Sequence, residues 1–154
     1  MYSKEEKKAL NQLFWDGFKK EIRQFNSREK QNVKWLNYPT GVKHVYLRLH
    51  ADETGAYLNY DIQLKDDSIR ELFWDQCLEL KVVLEKAMQW PTIWSPNVVS
   101  PEGFLFNRIQ WASGQYDFYN EEDWKKIYAF LKEKLIAFDA FYQEFKDVLI
   151  LLMD

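Results

Sequence analysis

Between Val42 and Lys65 two runs of strict apolar–polar alternation meet at a short turn, and a β-hairpin with one buried and one wet face satisfies both runs. In the first run Val45, Leu47, Leu49 and Ala51 point one way and His44, Tyr46, Arg48 and His50 the other. After Asp52-Glu53-Thr54-Gly55 the pattern resumes, with Ala56, Leu58, Tyr60, Ile62 and Leu64 apolar-facing and Tyr57, Asn59, Asp61, Gln63 and Lys65 polar-facing. A turn that pairs Ala51 with Ala56 sets His50 beside Tyr57, Arg48 beside Asn59, Tyr46 beside Asp61 and His44 beside Gln63. The expected binding face is therefore Tyr46, Arg48, Tyr57, Asn59, Asp61 and Gln63, weighed against an ordinary wetted sheet surface.

The other elements follow from caps and periodicity. Ser3-Lys4-Glu5-Glu6 has capping-box spacing and opens a helix whose stripe is Leu10, Leu13, Phe14, Phe18, Ile22 and Phe25. The polar segment Asn26 to Asn32 ends it, and Val33 to Tyr38 reads as a strand before the Pro39-Thr40-Gly41 turn. Asp66 caps a second helix with the stripe Ile69, Leu72, Phe73, Gln76, Leu80, Val83, Leu84 and Met88. Short strands are expected at Thr92 to Ser95 and Phe104 to Ala112. Asn120 then caps a long helix through Trp124, Ile127, Leu131, Leu135, Phe138, Phe141, Phe145, Val148 and Leu152. The order helix, three strands, helix, two strands, helix implies an α+β fold: an antiparallel sheet of about five strands packed with three helices in one domain over residues 1–154.

Seven Trp, nine Tyr and eleven Phe require a core of large rings, several with N–H or O–H groups that must find partners. A net charge of -3 supplies no global field for polyanions. The opening residues lack a signal-peptide core, and no stretch reaches the roughly 18 apolar residues of a membrane span, so a cytoplasmic chain with no membrane partner is expected. One cysteine, Cys77, allows neither an internal disulfide nor a cysteine metal cluster.

The opening MYSKEE, the pair Phe14-Trp15, the block from Val33 to Lys43 and the runs Arg70 to Phe73 and Leu78 to Lys81 resemble a bacterial family known as domain of unknown function 4268. Glu121 to Trp124 and Ala137-Phe138-Asp139 carry the resemblance across nearly the whole chain. The family brings no assigned catalytic residues. Some of its members look like C-terminal domains attached to nuclease-like domains, which implies work beside DNA-processing or defence proteins. This chain starts at its own capped helix without such a domain, so a role of that kind is expected either in trans or to be lost.

A restriction-type nuclease places an acid near one strand and an acid-x-Lys triplet on the next, so that carboxylates hold a cation and lysine assists the attacking water. Asp52, Asp61, Gln63 and Lys65 are the residues of that alternative, a divalent-metal-dependent and degenerate hydrolase; Gln63 is a poor ligand. His44 and His50 stand about 20 Å apart along one strand at about 3.3 Å per residue and cannot share an ion. Cys77 has no base beside it in sequence, and Glu71, Asp75 and Glu79 read as the outer side of a helix. The five glycines are scattered, so no phosphate loop exists and no cofactor is implied. The hairpin's outer face mixes rings and cations, and the later strand adds Phe106, Arg108 and Gln110 at alternating spacing, the composition of a nucleic-acid or protein contact surface. Val148 to Met153 is apolar all round, which predicts either burial or a homodimer through the C-terminal helix. The reading that results is a non-enzymatic binding or accessory module, with no catalytic and no metal-ligating residues assigned.

Overall fold

The computed structural model describes residues 1–25 and 34–153. Along the chain come α1 (Lys4–Ile22), β1 (Val45–Asp52), β2 (Gly55–Ile62), α2 (Asp67–Glu79), α3 (Lys81–Met88), β3 (Ile93–Val99), β4 (Leu105–Ser113) and α4 (Trp124–Leu152), with single 3-10 turns at Trp35–Asn37 and Glu121–Asp123. The four strands form one antiparallel sheet in the order β1, β2, β4, β3. The class is the α+β arrangement expected, with four strands among the described residues rather than about five.

The hairpin register agrees with the alternation. Ala51 pairs with Ala56, His50 with Tyr57, Arg48 with Asn59 and Tyr46 with Asp61. Gly55 sits at φ +149, and a Cβ there would collide with the Ser113 carbonyl, so the turn requires glycine. The Asp52 carboxylate fastens the turn by accepting from the Thr54 N–H at 2.8 Å and the Thr54 hydroxyl at 2.5 Å. The first strand begins at Val45 because His44 adopts φ +70, which breaks the extended run.

The strand expected over Val33 to Tyr38 is corrected: Trp35–Asn37 is a 3-10 turn, and Val33 and the expected stop at Asn26 to Asn32 lie outside the described residues. Trp35 is buried and its indole N–H donates to the Phe25 carbonyl at 3.0 Å, so this segment anchors through one ring and not through a ladder. The second helix is two helices. Leu80 at φ -91, ψ 3 donates its N–H to the Cys77 carbonyl in a tightened last turn, and the chain re-enters helix at Lys81. Neither Pro nor Gly marks this break in the sequence.

The inward face of α2 is also rotated from the expected stripe. Phe73, Trp74 and Cys77 are buried, whereas Ile69, Leu72 and Val83 are exposed. Two interactions favour that rotation: Trp74 packs edge-on against Trp94 at 5.6 Å, and the buried Arg70 guanidinium donates to the Leu64 carbonyl at 2.9 Å while pairing with Asp67. At the sheet's far edge β3 carries Pro96 and a register shift between Ser95 and Val98, where Asn97 at φ +55 donates its N–H to Asn107. Proline is tolerated there because an edge strand has one unpaired side.

The long helix α4 organises the core. Phe138 touches Tyr60 and Trp111 of the sheet, and Tyr142 stacks on Phe138 at 5.1 Å. The Tyr142 hydroxyl donates to the Thr40 carbonyl and shares a hydrogen bond with Tyr60, while Tyr38 donates to the buried Asp139 carboxylate at 2.6 Å. Burial holds the Tyr38, Tyr60 and Tyr142 phenols well above the ordinary value, so each remains a neutral donor. Lys134, buried in α4, donates to the Met88 carbonyl at the end of α3 and lies over the Trp90 ring, neutralising that helix terminus. On its other side α4 receives α1, where Tyr128 donates to the Phe14 carbonyl at 2.6 Å. The apolar end of α4 divides its side chains: Leu149 is buried and Ile150 lies over Gly41, while Val148 and Leu151 face outward. No helix among the described residues is long and apolar enough to cross a membrane.

Two changes test this packing. Phe138→Ala is expected to lower unfolding free energy by about 3–5 kcal/mol, the range for removing a buried ring, with the denaturant midpoint reporting it. Gly55→Ala is expected to lower the midpoint too, whereas Gly103→Ala, at φ +90 but with open space around it, costs less.

Candidate functional site: the open face of the sheet

Because Leu58, Tyr60, Ile109 and Trp111 face α4, the alternate residues of the same strands face the opposite way. Strand pairing arranges these outward residues in rows across β1, β2 and β4. His50, Tyr57 and Ala112 form one row, Arg48, Asn59 and Gln110 the next, and Tyr46, Asp61 and Arg108 a third. Together with Leu49, Asp52 and Thr54, the members of these rows other than Tyr46 and Ala112 line a concavity of about 400 Å³. Its volume falls in the range of about 300–1,000 Å³ typical of small-ligand sites.

The polar groups are held by one another. Asp61, only 1% exposed, accepts two bonds from Arg108, Nε to Oδ1 at 2.7 Å and a terminal nitrogen to Oδ2 at 3.0 Å. This fork-on-fork geometry satisfies a carboxylate that would otherwise be buried without a counter-charge. Next to it the Gln110 side-chain N–H donates to the Asn59 carbonyl oxygen at 2.8 Å. This bond uses one of the four amide hydrogens of the two side chains and leaves the Gln110 carbonyl oxygen as an acceptor. Arg48 stacks its guanidinium 4.2 Å over the Tyr46 ring and, unlike Arg70 and Arg108, makes no ion pair among the described residues.

At the turn end, His50 and Asp52 approach at 2.8 Å, and the His50 and Tyr57 rings lie 5.9 Å apart at 35°. The Tyr57 hydroxyl meets Thr54 Oγ1 at 2.5 Å. Burial pushes the Asp52 carboxyl up, but hydrogen bonds from Thr54 and His50 outweigh that and hold it below the ordinary value. A carboxyl lowered in the folded state contributes stability that is present above its unfolded pKa and lost as pH falls through the folded one.

Of the residues expected at the binding face, Arg48, Tyr57, Asn59 and Asp61 line the concavity. Tyr46 serves as the shelf beneath Arg48, and Gln63, beyond the end of β2, is tied by its backbone N–H to the His44 carbonyl. Arg108 and Gln110 complete the site. Their alternation along β4 is visible in the sequence, but the pairing of β4 beside β2, across an intervening helix pair and strand, is not.

The acids of the nuclease alternative are not brought together. Asp61 stands opposite Tyr46, six residues from Asp52 along β1, which is about 20 Å at about 3.3 Å per residue. Gln63 and Lys65 lie outside the concavity, and among the described residues no three His, Cys, Asp or Glu side chains gather where they could hold a metal ion. Cys77 is buried, and burial raises its thiol pKa well above the ordinary value, which leaves it a neutral packing group.

Fold and site together define an α+β domain whose helical layer covers one sheet face and whose other face is a self-satisfied polar concavity. The chain belongs to the family described as Domain of unknown function (DUF4268), whose model matches residues 10–146. No curated protein and no solved structure matches it.

Arg108→Ala, which strands the Asp61 carboxylate, is expected to cost about 3 kcal/mol, and Asp61→Asn less, because the amide oxygen still accepts from Arg108; urea titration of both variants checks the order. Thr54→Ala is expected to move the Asp52 pKa up toward the ordinary 3.8, read by NMR titration of its carboxyl carbon.

Proposed function

We propose that this chain is a non-enzymatic binding module that engages a macromolecule through the open face of its sheet. The observation that carries this reading is the polar concavity itself: a sheet face left free by the helical layer, holding a cation without a carboxylate partner, a half-buried ring and an unused donor–acceptor pair. A face meant only for water needs none of these preorganised parts, since its polar groups are satisfied by solvent at no ordering cost. Fixed rings and fixed donors reduce the entropy lost when a partner docks.

The acids are spent on other tasks. Asp61 is locked on Arg108 and Asp52 on the hairpin turn, so the face supports recognition better than metal-assisted hydrolysis. The test is capture of tagged protein from cell lysate, with and without nuclease treatment, comparing the native chain with Arg48→Ala plus Tyr57→Ala of verified fold. A retained species lost on double substitution supports the module; retention of the same set by both proteins contradicts the assignment of this face.

A second reading concerns self-association. Leu151 is 68% exposed and Val148 43% exposed at the end of α4, and burying such side chains against a second copy would remove them from water. Sedimentation is expected to show a concentration-dependent dimer that Leu151→Glu abolishes, and a monomer at all concentrations contradicts it.

A further inference from the structure

The reading of the open face as a binding surface can be taken to a ligand class, and the inference here rests on that reading. We infer that the concavity takes a nucleoside-phosphate unit, whether a free nucleotide or one residue of a single-stranded nucleic acid, with the base against Tyr57 and the Asn59–Gln110 pair and the phosphate on Arg48.

Three features in two adjacent rows of the sheet match the three parts of such a unit. A base is a flat ring needing an aromatic or apolar surface of similar size. In the first row Tyr57 is half-buried and lines the concavity, and its neighbour on β4 is the small side chain of Ala112. His50 on the other side closes that shelf.

A base also has a hydrogen-bonding edge. In the next row Gln110 spends one amide hydrogen on Asn59 and Asn59 its oxygen on Gln110. What remains is the Gln110 carbonyl oxygen as an acceptor together with the second amide hydrogen of Gln110 and the two of Asn59 as donors, on side chains that the shared bond holds in place. That pattern complements a ring nitrogen acceptor beside an exocyclic amino donor, which adenine and cytosine present. Thymine and uracil, whose imide N–H stands beside a carbonyl, present a donor beside an acceptor as well, so the amide pair reads a base edge without selecting among bases. Asn59 is 6% exposed, so its rotamer is held by packing and its unused amide group is aimed rather than free to turn.

A phosphate needs a cation that is not already paired. Arg108 is committed to Asp61, and Arg70 is buried against Asp67 on the far layer. Arg48, directly across from Asn59, is exposed and without an ion pair among the described residues, its guanidinium plane supported on Tyr46. One cation beside the base site implies one phosphate contact per unit and therefore a shallow salt dependence. The overall charge of -3 agrees: a chain that bound many phosphates electrostatically would carry a basic surface.

The experiment is fluorescence anisotropy with 5′-labelled ten-residue oligo(dA), oligo(dC) and oligo(dT), with adenosine monophosphate as competitor, on the full chain and on Arg48→Ala and Gln110→Ala. Both substitutions remove partly exposed side chains, and circular dichroism with a melting curve verifies each fold. The expected result is oligo(dA) binding with Kd on the order of 10–100 µM at low salt, the weak range for few phosphate contacts. The three strands are expected to bind within a few-fold of one another, each substitution to weaken binding at least about tenfold, and log K to fall against log salt with a slope of about -0.7. Competition by the mononucleotide at the same concentration as strand assigns the site to a free nucleotide, and competition only by strand assigns it to single-stranded nucleic acid; both support the inference. Absence of binding by either probe at 1 mM overturns it, as does binding that Arg48→Ala and Gln110→Ala leave unchanged. If neither probe binds while lysate capture still depends on Arg48 and Tyr57, the nucleotide inference falls and the open-face reading stands.

Discussion

Everything in this structure depends on the contact between α4 and the inner face of the sheet, where Phe138 and Tyr142 meet Tyr60 and Trp111. That ring cluster lies at the centre of the buried core, and it commits α4 to one side of the sheet. The other helices follow: α1 packs on α4 through Phe14, Phe18 and Tyr128, and α2 and α3 close over Cys77, Leu84 and Met88. The tyrosine hydroxyls introduced with so many rings are satisfied by Asp139, the Thr40 carbonyl and each other, so the aromatic core incurs no unpaired polar groups.

A sheet covered on one side must solve a different problem on the other. Asp61 and most of Asn59 are buried on the open face, each beside a longer side chain of β4. The bidentate Arg108 and the Gln110 amide make that burial tolerable. The same pairing freezes the site's geometry, and it consumes the carboxylate that metal chemistry would need. Structure and function thus meet at one choice, the use of Asp61 as an internal counter-ion.

The hairpin was readable because its information is local: alternation, a turn with glycine at its end, and cross-strand pairs that follow from counting. Ser3 and Asp66 marked their helix starts for the same reason, each side chain accepting a nearby backbone N–H, whereas Asn120 caps the 3-10 turn Glu121–Asp123 and α4 starts behind it at Trp124 without a side-chain cap. What depends on distant partners was not readable. The rotation of α2 is decided by Trp94 and the Leu64 carbonyl, the break at Leu80 has no local marker, and Trp35 is placed by the Phe25 carbonyl rather than by strand pairing. Half of the site shows the same divide. Arg48, Tyr57, Asn59 and Asp61 were legible as one face of a hairpin, while Arg108 and Gln110 joined them only because β4 crosses over to lie beside β2.

The central claim is that the outer face of the sheet is uncovered and that Arg48 is its available cation. Time-resolved modification by an arginine-selective dicarbonyl, followed by mass spectrometry of the folded chain, tests it without any assumption about a ligand. The structure predicts rapid modification of Arg48 and slow modification of Arg70 and Arg108, one buried on the inner side of α2 and the other held by two bonds to Asp61. An Arg48 as protected as Arg70 would mean that the face is occupied or closed, and would contradict the account.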